Sequence, residues 1–395
     1  MGDARGRIAW TRRHMPVLAS VAEEFSRTRP FDGLGIGLRI HLEPKTAVLI
    51  NALIRGGAQV TALGNVGTTQ FDTVAEIESW GCEVLDRPDD DAHSVSAHLE
   101  HMAAMGFDLL LDNGAELIVA CIEAGRLPLG ATEETTSGAF LLREQYAQRV
   151  RMPVIVINDS PLKSIVENKY GVGESVVDAV VSTTNISLHA KVVVVFGYGW
   201  CGRGVAQFAA ARGANVVVVD PDPVKLLEAA MDGFSIASAS EAARIGQVFI
   251  TATGREGVVD VDLIRQMRDG AVLANAGHTD REITVSELKD AASASPMEPS
   301  LTRYDLGADK SVFVIADGQI VNLAAQGSRG NSIESMDLGF TLQARSLELL
   351  ATQSKTMPLG PHPVPEAINH EVALAVLEAM QSPLHRPDQD QTPRG

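Results

Sequence analysis

The stretch Val192–Asp220, which reads VVVVFGYGWCGRGVAQFAAARGANVVVVD, carries the strongest fold signal in the chain. Gly197, Gly199 and Gly202 give the spacing G-x-G-x-x-G between a valine-rich segment and an alanine-rich segment. This pattern predicts a strand, a tight glycine turn and the start of a helix, where a pyrophosphate can approach the backbone closely. The stretch therefore predicts a dinucleotide-binding unit.

Asp220 closes the second valine-rich segment, about 20 residues after the glycines, where such units carry an acidic residue. Its carboxylate can accept hydrogen bonds from both ribose hydroxyls and would repel the 2′-phosphate of NADP. The pattern therefore favours NAD as the cofactor. Lys225 is a cation near the same ribose and keeps NADP open as an alternative. A glycine turn without a ligand is the other alternative.

Apolar runs alternate with amphipathic stretches along the chain, as they do in parallel sheets covered by helices. The predicted strands are AQVTAL, DLLLDNG and MPVIVIND in the first half, and KVVVVFG, NVVVVD, QVFITATG, AVLANAG and SVFVIADG in the second. We therefore predict an α/β protein with two Rossmann-like, doubly wound parallel-sheet domains. The stretch ASASPMEPS at residues 292–300 is expected to be a loop.

Composition limits the possible partners. The chain has 395 residues, 45% of them apolar, which is enough for two cores. Its net charge of −17 argues against binding to nucleic acid. No apolar run approaches the roughly 20 residues of a membrane span, and MGDARGR lacks a signal-peptide core, so we expect a cytoplasmic protein without a membrane partner. The cysteines support neither disulfides nor a zinc site, and we expect no metal.

Two polar clusters lie in the first half, and the second follows a predicted strand, where open α/β sheets bind ligands. One is ATEETTSG, and the other lies in VINDSPLKSIVENKYG. Lys163 and Glu167 would share one face of a helix if that segment is helical, and on spacing alone a surface ion pair is the favoured interpretation. The spacing alone therefore assigns no role to these two residues.

The chain resembles the adenosylhomocysteinases over roughly residues 7–350. The resemblance rests on five blocks in family order, which are EETTSG, NDSPLKSIVENKYGVGES, GYGWCGRG, ANAGHTDREI and VIADGQIVNLA. Such enzymes use bound NAD to oxidise a sugar hydroxyl, which makes the neighbouring C–H acidic. A base removes that proton, the exocyclic group leaves, water normally adds, and the ketone is reduced again.

The resemblance implies roles for several residues of the first half. Lys163 matches the lysine that assists oxidation and proton transfer, and Glu167 stands where the family has an aspartate that contacts the sugar. Glu134 matches the glutamate that binds the sugar hydroxyls. Asn168 matches a residue between cofactor and substrate, and His41 matches the histidine near the leaving group.

The resemblance also implies the cofactor contacts and the domain order. The cofactor-side residues are Thr135, Thr136, Ser137, Thr253, His278 and Asn322. We expect a substrate-binding domain at residues 1–180, to which 332–365 return, and an NAD-binding domain at 181–331. Residues 366–395 are expected to form a C-terminal helix and a polar tail. The family predicts a homo-oligomer, a dimer or a tetramer.

Four departures from the family pattern surround the substrate pocket. Asp112 is kept, but Asn113 replaces the catalytic aspartate that follows it, and an amide cannot act as a base. Glu43 and Lys45 replace a threonine and a Glu or Gln in the block that helps hold adenine. The segment Gln326–Ser335 replaces a loop that ends in Gly-His-Pro. The basic, tyrosine-ending tail of the family is absent.

The departures leave three hypotheses. The first is an enzyme that eliminates water from an adenine nucleoside and forms an exocyclic alkene, as in the conversion of psicofuranine to decoyinine. The second is an ordinary adenosylhomocysteinase, and the third is a catalytically silent regulator. Loss of hydroxide needs a proton donor, which His41 and Glu43 could supply together. Alternatively, Glu43 only pairs with Lys45.

Overall fold

A computed structural model describes residues 3–65, 67–277 and 281–381. The chain divides into two compact units. The first unit comprises Met1–Lys163 and Met336–Gly395, and the second comprises Ser164–Ser335.

The strands and helices alternate along most of the chain. The strands are β1 (Gly35–Arg39), β2 (Gln59–Leu63), β3 (Glu83–Val84), β4 (Leu109–Asp112), β5 (Gly130–Glu133), β6 (Pro153–Val156), β7 (Val192–Phe196), β8 (Asn215–Val219), β9 (Ser235–Ile236), β10 (Val248–Thr251), β11 (Ala271–Asn275), β12 (Ser293–Glu298), β13 (Leu301–Gly307), β14 (Lys310–Ile315) and β15 (Gly360–Pro363). The α-helices are α1 (Ala4–Arg13), α2 (Pro16–Thr28), α3 (Pro44–Arg55), α4 (Phe71–Ser79), α5 (Ala92–Met105), α6 (Glu116–Glu123), α7 (Thr136–Glu144), α8 (Val172–Thr184), α9 (Trp200–Ala211), α10 (Pro223–Met231), α11 (Ala239–Ile245), α12 (Val261–Ile264), α13 (Val285–Ala291), α14 (Val321–Ala324), α15 (Ile333–Gln353) and α16 (Glu366–Gln381). Short 3₁₀ turns occupy Ile157–Asp159, Ala316–Gly318 and Ser354–Thr356, and a π-helix occupies Lys163–Gly171. Within the described ranges, no helix is both long and apolar enough to cross a membrane.

The first unit is built on a parallel sheet with the order β15-β6-β5-β4-β1-β2-β3. Its central strands are buried along their whole length, as the continuous apolar run of β4 shows. The strand order reverses between β1 and β4, so the loops after these two strands diverge and leave a crevice at the carboxyl edge of the sheet.

The second unit has the sheet order β12-β13-β14-β11-β10-β7-β8-β9. Its parallel strands, from β14 to β9, have the order of a dinucleotide-binding fold, with a reversal between β7 and β10. Alternate residues of β7 enter two separate cores, Val193 and Val195 in one and Val194 and Phe196 in the other. Helices therefore cover both faces, which confirms the predicted α/β class with two Rossmann-like sheets.

The prediction of a loop at residues 292–300 was wrong. Residues Ser293–Glu298 form the edge strand β12, which pairs antiparallel with β13. Pro296 is tolerated because an edge strand has one side without a ladder partner, and the pairing register shifts between Pro296 and Glu298. The sequence did not reveal this strand, because its side chains are all exposed and show no apolar alternation, and because serine and proline are typical of loops.

The boundary between the two units lies after Lys163, whereas the sequence led us to expect a boundary at residue 180. Residues 164–180 group with the second unit, because the backbone of α8 packs directly on α9. Gly173 of α8 lies against Gly204 of α9, and an added Cβ on Gly173 would come within 2.5 Å of the Gly204 carbonyl carbon. The polar tail from residue 382 lies outside the described residues.

This close helix contact predicts a specific loss of stability. A Cβ on Gly204 would overlap the carbonyl oxygen of Lys169, which is backbone and cannot rotate away. Gly204→Ala should therefore destabilise the protein by about 1–3 kcal/mol, the usual cost of overpacking. Urea unfolding would measure the loss, and Gly6→Ala, where an added Cβ has no neighbour within 4 Å, is the control. Equal midpoints for the two variants would contradict the packing argument.

Candidate active site

The glycine turn of the second unit cannot accept side chains at two of its positions. Gly197 has φ = 94°, in the left-handed region that favours glycine. Its added Cβ would also lie 2.7 Å from the carbonyl oxygen of Ala252. An added Cβ on Gly202 would overlap the carbonyl oxygen of Gly197, so the turn and the start of α9 touch directly.

Gly199 is different, because an added Cβ there would meet no atom within 4 Å. The residue stands at the N-cap of α9, and no side chain caps that helix end. Backbone N–H groups at the start of a 12-residue helix thus border an open space, as a pyrophosphate site requires. The residues present fit a dinucleotide.

Asp220 follows β8 and is held by backbone hydrogen bonds. Its Oδ2 accepts from the N–H of Tyr198 at 2.7 Å, and its Oδ1 accepts from the N–H of Asp222 at 2.9 Å. The Nζ of Lys225 lies 3.7 Å from the same Oδ2. The acidic residue predicted from the sequence therefore also fixes the glycine turn to the end of β8.

Thr253, predicted as a cofactor contact, lies just after β10 and is fixed by a residue that the sequence did not reveal. The carboxylate of Glu282 accepts from the Thr253 N–H at 3.0 Å, the Thr253 hydroxyl at 2.8 Å and the Gly254 N–H at 2.7 Å. Glu282 is fully buried, and burial raises its pKa. No local pattern marks Glu282, because its partners lie 28 and 29 residues away in sequence.

Asn322 lies at the start of α14 and is buried. Its side-chain N–H groups donate to the hydroxyl of Ser175 at 2.8 Å and to the Oδ1 of Asn331 at 3.2 Å. Asn331 belongs to the divergent segment Gln326–Ser335, so this segment packs against Asn322. His278, the other predicted residue near the nicotinamide, lies outside the described residues.

The first unit carries a buried ion pair at the sites predicted for sugar binding. Lys163 Nζ lies 3.2 Å from Glu134 Oε1, and their side chains are only 4% and 5% exposed. Glu134 follows β5, and Lys163 begins the π-helix that comes after β6. Glu167 and Asn168 lie on that same helix, a rare form that is frequent at functional sites.

Glu133 organises the loops at this edge of the sheet, a role that the sequence did not indicate. Its carboxylate accepts from the N–H groups of Gly114, Ala115 and Thr135 at 3.1, 2.8 and 2.7 Å. It also accepts from the Thr135 hydroxyl at 2.6 Å. One buried side chain thus connects the loop after β4 to the hydroxyl row, by which we mean the predicted cofactor-side residues Thr135, Thr136 and Ser137.

The hydroxyl row itself lies at the start of α7. Thr135 caps this helix by accepting from the N–H of Gly138 at 2.9 Å, and its hydroxyl lies 3.2 Å from that of Ser137. The hydroxyl of Thr136 accepts from Asn158 Nδ2 at 2.9 Å. The three hydroxyls therefore have fixed positions at the carboxyl edge of the first sheet.

Asp112 lies beside Glu133 in the strand register and is completely buried. Its Oδ2 accepts from the N–H of Ile118 at 2.7 Å, in the first turn of α6. Burial and the neighbouring carboxylates raise the pKa values of both Asp112 and Glu133. Asn113, the next residue, is half-buried, and its Oδ1 has no hydrogen-bond partner among the described residues.

His41 follows β1 and lies in a small polar network. Its Nδ1 is 2.8 Å from the hydroxyl of Thr68, and Asn65 Nδ2 lies within 3.3 Å of both ring nitrogens. The backbone carbonyl of His41 accepts from the hydroxyl of Thr46 at 2.6 Å. Thr46 fixes the backbone of His41, while Thr68 and Asn65 fix its ring.

Glu43 and Lys45 form a buried ion pair two residues beyond His41. Their charged atoms are 3.2 Å apart, and their side chains are 10% and 7% exposed. Glu43 also caps α3 by accepting from the N–H of Lys45 at 3.2 Å. The structure therefore has the alternative in which Glu43 pairs with Lys45, and an ionised carboxylate is no proton donor.

The described parts of the first unit bring its predicted site residues to one edge. His41, Asn113, Glu134 and Lys163 follow β1, β4, β5 and β6, whose carboxyl ends share that edge. The set includes a histidine, an amide, a carboxylate and an amine. Such groups can bind hydroxyls and move protons.

The open space at Gly199 predicts a selective loss of binding. Gly199→Ala should change the free energy of unfolding by no more than about 0.5 kcal/mol, as a surface substitution does. It should weaken NAD binding at least about tenfold, because the methyl group enters the space of the pyrophosphate. Calorimetric titration with NAD measures this loss. Unchanged affinity would show that the dinucleotide lies elsewhere.

The buried Asp112 predicts a dependence of stability on pH. Because its folded pKa is raised, the folded state binds more protons, and stability falls as pH rises from the unfolded pKa of about 4 to the raised value. Asp112→Asn removes this loss. The free energy of unfolding of the variant, minus that of the unchanged protein, should therefore be about 2 kcal/mol larger at pH 8 than at pH 5. Urea unfolding at both pH values tests this. Asp262→Asn, at a side chain that is 87% exposed, should show no such change.

Comparison with known proteins gives a consistent result. Residues 168–328 match the profile of the S-adenosyl-L-homocysteine hydrolase NAD binding domain, and residues 2–128 match that of S-adenosyl-L-homocysteine hydrolase. The S-inosyl-L-homocysteine hydrolase of Methanopyrus kandleri is 40% identical over 95% of this chain and 90% of its own length. The adenosylhomocysteinase of Thermotoga maritima is 39% identical over 96% of this chain and 95% of its own length.

Among solved structures, the dipicolinate synthase A chain of Bacillus subtilis is 14% identical over 82% of this chain and 97% of that chain, with a TM-score of 0.45. The sequence matches, by contrast, extend over both units and agree with the glycine turn and the polar edge. The chain belongs to the S-adenosyl-L-homocysteine hydrolase family and binds NAD as its cofactor.

Proposed function

We propose that this protein eliminates water from an adenine nucleoside and leaves an exocyclic alkene on the sugar. NAD, when bound, would supply reversible removal of a hydride from the carbon that carries a sugar hydroxyl, while the hydroxyl proton passes to a base. The adjacent C–H is then acidic and gives its proton to a base, and the exocyclic C–O bond breaks with protonation of the departing oxygen. Return of the hydride restores the hydroxyl and the cofactor, so the net change is the loss of one water molecule.

The observation that carries this proposal is the state of two residues, Asp112 at the end of β4 and Asn113 directly after it. A hydrolase of this family must add water back, and that step needs a base. Asn113 is an amide and cannot accept the proton. Asp112 is fully buried and bound to the start of α6, so it cannot take over this role. Elimination of water is the reverse of that addition, so an enzyme that forms the alkene must protonate the departing oxygen with a group other than Asn113.

The groups that the elimination needs are present in the first unit. Lys163 is the amine of this set, and its Nζ lies 3.2 Å from the Glu134 carboxylate, so a proton can pass between the two side chains. Glu134, paired with it at 3.2 Å, can accept a hydrogen bond from a sugar hydroxyl. A buried ion pair adds little net stability, so packing alone gives no reason for this pair.

His41 is our candidate for the proton donor to the departing oxygen. Hydroxide is a poor leaving group and must be protonated as the C–O bond breaks. Glu43 is engaged by Lys45, whereas His41 follows β1 at this edge and has its ring oriented by Thr68 and Asn65. The half-cycle then uses Lys163 as the base and His41 as the acid.

A second candidate function is hydrolysis of a nucleoside thioether. It is favoured by the relatives, whose names specify S-adenosyl- or S-inosyl-homocysteine, at 38–40% identity over about 95% of this chain. A thiolate leaves without a proton donor. The Glu43–Lys45 pair presents one acceptor and one donor, which suit the N1–H and O6 of hypoxanthine, or adenine with the two roles exchanged.

One substrate panel separates the two functions. The purified protein is incubated with psicofuranine, S-adenosylhomocysteine and S-inosylhomocysteine, and the products are identified by mass spectrometry. We expect loss of water from psicofuranine and slow thioether cleavage. Release of homocysteine with kcat/KM of about 10⁴ M⁻¹s⁻¹ or more, from either thioether, would establish the hydrolase instead.

Lys163 should be essential for turnover. Lys163→Met should reduce kcat about 10²-fold or more, the usual contribution of a positioned proton-transfer group, and should leave NAD bound. Lys169→Met, on the same π-helix, is the matched control and should retain activity. Full activity of the Lys163 variant would show that another group moves the proton.

Asn113 allows a test of the second function. If the missing base limits hydrolysis, Asn113→Asp should release homocysteine from S-adenosylhomocysteine faster than the unchanged protein does. Product analysis in ¹⁸O-labelled water would detect the added oxygen in the nucleoside. Asn113→Gln keeps the amide and should not increase the rate. Equal rates for Asn113→Asp and the unchanged protein would contradict the role assigned to Asn113.

A further inference from the structure

The carboxylate that selects NAD is partly neutralised by its surroundings. The Asp220 side chain is only 3% exposed, and each of its oxygens already accepts one backbone N–H, from Tyr198 and from Asp222. Each oxygen keeps a further lone pair for a ribose hydroxyl. Asp220 can therefore still bind NAD, but its negative charge is shared among several donors.

A cation stands beside this carboxylate. Lys225 lies in the first turn of α10, and its Nζ is 3.7 Å from Asp220 Oδ2. The lysine side chain is 41% exposed, so the ammonium extends from the buried carboxylate toward solvent. Asp222 is the N-cap of this helix and accepts from the N–H of Val224 at 2.9 Å.

We propose that Lys225 relaxes the selection against NADP, so that the second unit accepts NADP as well as NAD. An acidic residue at this position excludes NADP because its charge repels the 2′-phosphate. The ammonium of Lys225 offsets that charge and can donate a charge-assisted hydrogen bond to a phosphate oxygen. NAD lacks the phosphate, so Lys225 contributes little to its binding.

The test compares the binding of the two dinucleotides, independently of catalysis. The full-length protein is equilibrated with mixtures of NAD and NADP, and the bound dinucleotides are released by denaturation and quantified by chromatography. We expect the unchanged protein to take up NADP with an affinity within about 100-fold of that for NAD. Lys225→Gln should weaken NADP about tenfold, as expected for one hydrogen bond to a charged group, and NAD less than twofold.

Lys289→Gln is the matched control, because Lys289 is also a half-exposed lysine of the second unit in an ion pair, with Asp317 at 3.3 Å. It should change neither affinity. Asp220→Asn should strengthen NADP relative to NAD, since the repelling charge is removed. The proposal is overturned if the unchanged protein takes up no NADP at millimolar concentration, or if Lys225→Gln weakens both dinucleotides equally.

Discussion

The structure depends on buried carboxylates that satisfy backbone N–H groups where strands end. Glu133 performs this in the first unit and Glu282 in the second, and each accepts from the backbone of a loop next to a strand end. Unsatisfied N–H groups at such a buried edge would cost about 1–3 kcal/mol each. Each carboxylate therefore holds predicted site residues, Thr135 in one unit and Thr253 in the other, in a single arrangement.

The sequence predicted the sheets well because their signals are local. The glycine turn, its flanking strands and Asp220 all lie within Val192–Asp220. Glu133 and Glu282 could not be assigned roles, because their donors come from loops up to 29 residues away and a buried carboxylate has no sequence signature of its own. The edge strand β12 was missed for the related reason that its exposed side chains show no apolar alternation.

The candidate site was predictable residue by residue only through the family resemblance. Spacing left Lys163 and Glu167 as a surface pair, whereas the structure gives Lys163 a buried partner, Glu134, from a different loop. The family resemblance also identifies the positions at which this chain differs from the family pattern. Asn113 places an amide directly after β4, and Glu43 is held by Lys45, and our proposed function rests on these two departures.

Proton exchange at the sugar tests the central claim most directly, because oxidation and proton removal precede any choice of leaving group. The NAD-loaded protein is incubated with psicofuranine in heavy water, and the recovered nucleoside is examined by nuclear magnetic resonance. The account predicts deuterium at the sugar carbon next to the exocyclic one for the unchanged protein, and none for Lys163→Met. A nucleoside recovered without deuterium from the unchanged protein, with no alkene formed, would contradict it.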